Sequence, residues 1–102
     1  MKLFVSYTMR DGHITPSVLK VVEKILKNEG HSVFIDYLNN DSERKQERII
    51  SELRSSDQLL LLLSPKVRQS QWVKKELVCA QLNNIEIVLC KVVNNTLIRR
   101  YA

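Results

Sequence analysis

The stretch Gln58-Leu59-Leu60-Leu61-Leu62-Leu63, closed by Ser64-Pro65, decides the fold of this chain. A strand that buries one face alternates apolar and polar residues. Five leucines in succession leave no polar face, so the segment reads as a strand covered on both sides, the pattern of a central strand in a parallel sheet. A leucine run also suits a helix, but the shortness of the run and its Ser64-Pro65 stop favour a strand.

The flanking sequence supplies what such a strand needs. Upstream, Leu3-Phe4-Val5-Ser6-Tyr7 is a short run of β formers, ended by polar Thr8, Arg10, Asp11 and Gly12. Thr15-Pro16 opens a helix, with Thr15 as N-cap and Pro16 at the first helical position. Val18, Val21, Val22 and Ile25 form its apolar stripe, Lys20, Lys24 and Lys27 its polar side, and Gly30 its end. Ser32-Val33-Phe34-Ile35 is a second strand with Asp36 at its C-terminal end. Residues 37–42, with Asn39-Asn40-Asp41, read as a loop. Asp41 or Ser42 caps a helix carrying Ile49, Ile50 and Leu53, which is expected to fray at Ser55-Ser56-Asp57. Downstream of the leucines come a polar loop at 64–71, a helix from about Ser70 to about Asn83, and the strand Ile85-Glu86-Ile87-Val88-Leu89-Cys90. Residues 91–102 have no clear period and read as a short edge strand or a tail. The order β-α-β-α-β-α-β over 102 residues predicts one α/β domain spanning 1–102. Its expected architecture is three-layered and flavodoxin-like, a parallel sheet of four to five strands with helices on both faces. Ligands in such sheets bind at the C-terminal ends of the strands, which here means the loops at 8–15, 37–42 and 64–71.

Composition narrows the function classes. The hydrophobic fraction of 44% and charged fraction of 26% are those of an ordinary globular protein. The net charge is +5, but the cations are scattered among acids, as on a solvated surface, and no nucleic-acid partner is expected. Two glycines in the whole chain exclude a Gly-rich phosphate loop. His13 and His31 have no Cys or acidic partner at ligand spacing, so neither a metal site nor a metal cofactor is expected. Cys79 and Cys90 without a signal peptide suggest a reducing compartment, and no apolar run approaches a membrane span; a cytoplasmic protein without membrane contact is the expectation.

One constellation could carry chemistry. Trp72, Glu76, Cys79 and Asn83 fall at i, i+4, i+7 and i+11 on one helix face, with Val73, Leu77 and Ala80 on a neighbouring face towards the sheet. A carboxylate beside a large aromatic, at the start of a helix at the ligand edge, suits cleavage of an N-glycosidic bond: the ring stacks, and the carboxylate stabilises an oxocarbenium ion or attacks it. Spacing alone favours the plainer reading, an exposed acid at the positive end of a helix dipole.

The order of motifs resembles the TIR (Toll/interleukin-1 receptor) domain family, in particular small, bacterial-type members. Phe4-Val5-Ser6-Tyr7 with Asp11 resembles its first box, Gly30-His31-Ser32-Val33-Phe34-Ile35-Asp36 its second strand, and Ser56-Asp57 with the leucine run and Ser64-Pro65 its third. Ser70-Gln71-Trp72-Val73-Lys74-Lys75-Glu76-Leu77 resembles its S-x-W-x-x-x-E-L helix start. The resemblance implies an enzyme that cleaves NAD⁺ between nicotinamide and ribose, by hydrolysis or by cyclisation to an ADP-ribose signal, in defence or signalling. NAD⁺ is then a substrate, and no cofactor is implied. It makes Glu76 the catalytic residue, Trp72 its stacking partner, and Ser6, Tyr7, Arg10, Asp36 and Tyr37 ligand-binding residues, with the loop from Tyr37 gating the site. It also implies self-association or binding to other TIR domains. Two alternatives stand beside it: a non-enzymatic TIR interaction module, and an enzyme similar to nucleoside deoxyribosyltransferases, whose catalytic glutamate also opens a helix.

Overall fold

The computed structural model describes residues 1–101. The leucine run is the centre of the sheet. Strands β1 (Lys2–Ser6), β2 (Ser32–Phe34), β3 (Gln58–Leu62) and β4 (Glu86–Val93) are parallel, and β5 (Thr96–Tyr101) is antiparallel, in the order β2-β1-β3-β4-β5. β3 pairs with β1 through Phe4↔Leu59 and Val5↔Leu60, and with β4 through Leu60↔Val88 and Leu61↔Leu89. The helices are α1 (Pro16–Asn28), the single turn α2 (Asp36–Asn39), α3 (Lys45–Arg54) and α4 (Gln71–Leu82), with a short 3-10 turn at Val67–Gln69.

Strand alternation divides the core in two. Leu3, Val5, Leu60, Leu62, Val88 and Cys90 point towards α1 and meet Leu19, Val22 and Leu26. Phe4, Phe34, Leu59 and Leu61 point the other way and meet Ile49 and Leu53 of α3 and Val73 and Ala80 of α4. The expected three-layer α/β architecture is therefore present. The buried line of α1 is Leu19, Val22 and Leu26, with Val18 partly buried beside it, so the stripe sits one residue away from the run of valines that marks it in the sequence.

Local chemistry explains the boundaries. The Thr15 side chain accepts from Val18 N at 3.2 Å, with Pro16 next to it, and the Ser70 hydroxyl accepts from Val73 N at 3.3 Å. At the end of α1, Gly30 takes φ +90°, Gly30 N donates to Lys27 O and His31 N to Leu26 O, which is a Schellman closure. α4 ends the same way with Asn84 at φ 55°, Asn84 N bonding Gln81 O and Ile85 N bonding Ala80 O.

Three local expectations are corrected. The segment after Asp36 is not wholly loop: Asp36–Asn39 forms a helical turn, with Asn39 N and Asn40 N donating to Ile35 O and Asp36 O. Neither Asp41 nor Ser42 caps α3, which starts after Arg44; the Ser42 hydroxyl accepts from Arg44 N just outside the helix. Ser55-Ser56-Asp57 is tied down rather than frayed. Ser56 is buried and donates to Glu52 O, and Asp57 Oδ2 accepts from Lys2 N at 2.7 Å, fixing the first residue of β1. The segment after Cys90 is a hairpin strand. β4 continues to Val93, and Asn94 and Asn95, at φ 49° and 60°, turn the chain back into β5.

Candidate functional site

Glu76 lies in the second turn of α4, and its side chain faces the sheet with Val73 and Ala80. The residues at i, i+3 and i+7 from Val73 share a face, which places the carboxyl among buried residues rather than on the outer surface. It is only 4% exposed. A carboxylate with so little water needs a donor, and β1 supplies it. Phe4 and Ser6 share the face of β1 that looks towards α4, so the Ser6 hydroxyl, at the C-terminal end of the strand, donates to Glu76 Oε1 at 2.8 Å. The Trp72 side chain, one turn before Glu76, is a second hydrogen-bonding neighbour.

Burial dominates the electrostatics. It pushes the Glu76 carboxyl up to about 7; the Ser6 hydrogen bond opposes this, the negative charge of Asp36 adds to it, and Trp72 opposes it. Near neutral pH the group is thus divided between acid and carboxylate. Such a shift at the C-terminal edge of a parallel sheet marks Glu76 as a candidate for acid or base work.

Tyr7 follows Ser6 and packs its ring towards α1. Its hydroxyl accepts from Tyr37 N at 3.0 Å, clasping the α2 turn to the end of β1. Burial pushes its phenol up to about 12, the Tyr37 hydrogen bond opposes this, and the charges of Asp36 and Glu76 raise it further. Asp36 accepts through Oδ1 from Asn40 Nδ2 at 2.7 Å. The Tyr37 side chain is 57% exposed, at the outer lip of the same turn.

Of the residues singled out in the sequence, Ser6, Trp72 and Glu76 form one group, and Tyr7, Asp36 and Tyr37 form its neighbouring wall. Arg10 stands apart. It lies in the exposed turn closed by Gly12 N donating to Met9 O, and among the described residues its only hydrogen bond is its own N–H to Thr8 Oγ1, at 3.4 Å. Trp72 also has a second role, because it lines the surface groove between α3 and α4, with the Lys75 ammonium 5.8 Å above its ring.

Sequence reasoning missed two positioning residues. Asn40, 7% exposed, holds Asp36, donates to Lys45 O at 3.1 Å and accepts from Ser42 N. Asn39 accepts from Ile35 N at 2.7 Å and donates to Glu23 of α1 at 3.1 Å. Both read only as turn formers in the sequence. Asp11, whose place in the first box the sequence did show, accepts from His13 N and from Lys66 N at 2.8 Å, stitching the loop after β1 to the loop after β3. Among the described residues no three His, Cys, Asp or Glu side chains gather into a metal-binding group, and no helix is long and apolar enough to cross a membrane.

Comparison with known proteins bears on the family and the fold. The sequence model of the family described as "TIR domain" matches residues 3–98. A solved structure of a 2-deoxyribosyltransferase from Bacillus psychrosaccharolyticus superimposes with a TM-score of 0.66 at 13% identity, over 92% of this chain and 77% of that one. At that identity the likeness concerns the fold alone. No curated protein sequence matches the chain.

Proposed function

This chain belongs to the TIR domain family, and from that premise we propose that it cleaves the nicotinamide–ribose bond of NAD⁺, with Glu76 as the catalytic residue. The observation that carries this reading is a buried carboxyl that titrates near neutrality, held by Ser6 at the ligand edge of the sheet. In the proposed step the C–N bond to nicotinamide breaks and its electron pair leaves with the ring, which departs neutral. The ribose becomes an oxocarbenium ion, and the Glu76 carboxylate faces that charge in a site with little competing water. Water, or a nitrogen of the adenine, then bonds to the same carbon, giving ADP-ribose or a cyclic product, and the displaced proton passes to the carboxylate or to solvent.

Ser6 keeps the carboxylate oriented and supports its ionised form. The α2 turn, clasped by Tyr7, forms the adjoining wall, and its exposed Tyr37 gives the substrate an aromatic edge at the entrance. Glu76 is nearly closed to solvent, so the substrate is admitted when this turn or Trp72 moves. Self-association, or contact with another TIR domain, is the proposed trigger, acting in defence or signalling inside the cell.

The test is release of free nicotinamide from NAD⁺ over a wide range of protein concentration. The parent chain releases it and Glu76→Gln does not, a loss on the order of 100-fold or more. No release at any concentration, with assembly on another TIR domain intact, gives the interaction module instead. Base exchange on deoxynucleosides gives the transferase reading, which the fold likeness to the deoxyribosyltransferase keeps in view.

A further inference from the structure

Away from Glu76, α3 and α4 leave a trough on the outer surface. It consists of two hollows of about 760 and 690 Å³ that share Ile50, Arg54 and Lys75 and so run into one another along α4. Its apolar side is unusual for an outer helix face. Leu82 is 78% exposed and Val78 52%, one turn apart in one hollow, with the partly buried Ile50 of α3 shared by both hollows and Trp72 in the other. Outward positions of a surface helix are ordinarily polar, and apolar residues that collect there mark a contact surface.

The charge around the trough is one-sided. Arg54, Lys74 and Lys75 line it, and among the described residues none of them forms an ion pair. Some basic groups elsewhere are matched, Lys2 with Glu52 at 2.7 Å, Arg48 with Asp41 at 3.1 Å and Arg99 with Glu29 at 2.6 Å, while others such as Lys20, Lys24 and Lys66 form no ion pair among the described residues. What sets the trough apart is that its cations without an ion pair flank exposed apolar side chains. The one acid lining the trough, Glu47, is already paired with Arg44 at 3.5 Å.

We propose that this trough is a docking site for an acidic amphipathic helix of a partner protein. The twelve residues of α4 make a face about 18 Å long, enough for three turns of a partner helix. Apolar residues at i, i+3, i+4 and i+7 of that helix cover Ile50, Trp72, Val78 and Leu82, and flanking glutamates or aspartates meet Arg54, Lys74 and Lys75. A second copy of this chain fits less well, since its own net charge is +5. A nucleotide would leave Val78 and Leu82 uncovered.

Trp72 is the chain's single tryptophan, so its fluorescence reports on the trough directly. The probe is a synthetic helical peptide with leucines along one face and glutamates along the others. Its controls are the same composition with the leucines dispersed round the helix, and the same pattern with lysines for glutamates. The acidic amphipathic peptide shifts the emission saturably, more weakly as salt is raised, and both controls fail. Leu82→Glu and Lys74→Glu each weaken binding by about tenfold or more while thermal unfolding stays at the parent value, as expected for exposed positions. The proposal is overturned if the acidic amphipathic peptide gives no shift, if the dispersed-leucine control titrates equally, or if both variants bind as the parent does. Self-association of the parent without peptide, lost in Leu82→Glu, would make the occupant a second copy and overturn it as well.

Discussion

The Ser6 hydroxyl and the Glu76 carboxyl lie 2.8 Å apart in the buried end of the site. The carboxyl sits near 7 against an ordinary value of 4.5, so in the folded chain it holds its proton over a range where the unfolded chain has lost it. The stability this contributes is fully present below pH 4.5 and is lost as pH rises to about 7, a loss of roughly 3 kcal/mol. Glu76→Gln removes the titration. It should therefore unfold at a higher temperature than the parent at pH 8 and lose the difference towards pH 5, which melting curves across that range will check. Ser6→Ala takes away the hydrogen bond that opposes the upward shift. The pH at which NAD⁺ cleavage reaches half its plateau should then move to higher pH than in the parent, whereas a merely structural role for Ser6 would lower the rate at all pH values alike.

At the scale of elements, short polar stretches carry the information. The β4–β5 turn depends on Asn94 and Asn95 both holding positive φ, as the two-residue type I′ hairpin requires. Asn94→Val should cost about 1–2 kcal/mol by denaturant unfolding, and Asn94→Gly should be near neutral. That Asn-Asn pair, flanked by Val92-Val93 and Leu97-Ile98, is a legible hairpin signal, and reading residues 91–102 for a period alone misses it. The α2 turn was hidden for a different reason. Asp36–Asn39 is a single helical turn, too short for a periodic pattern, and it is held by tertiary bonds: Tyr37 N donates to Tyr7 Oη, and Asn39 Nδ2 donates to Glu23. Tyr7→Phe removes that clasp, and amide exchange at Tyr37 should quicken while the β1 amides stay as they are. By contrast the caps at Thr15 and Ser70 and the ends at Gly30 and Asn84 are local chemistry, and the sequence marks each of them.

The whole molecule is a sheet with two cores back to back. Leu60 and Leu62 belong to one, Leu59 and Leu61 to the other, and all four are fully or almost fully buried. Leu60→Ala and Leu61→Ala should therefore both destabilise by about 2–5 kcal/mol in chemical denaturation, although their side chains point in opposite directions; a strand with one solvent face would give one large loss and one small. This architecture was readable because the leucine run and the alternation of helices and strands act over many residues. The burial of Glu76 was less readable. Helical spacing grouped it with Trp72, whereas in the fold its carboxyl faces inward with Val73 and Ala80, and Trp72 also opens on the groove beside α3. Only the crossing of α4 over the end of β1, brought together across 70 positions of sequence, turns a helix acid into a group titrating near neutrality.

Whether Glu76 is catalytic is decided by nicotinamide release from NAD⁺, measured for the parent and Glu76→Gln at high protein concentration between about pH 5.5 and 8.5. The parent should release nicotinamide at a rate that rises through about pH 7, as the carboxyl ionises, and Glu76→Gln should release none above background at any pH. Equal release by the two proteins would contradict a catalytic role for Glu76.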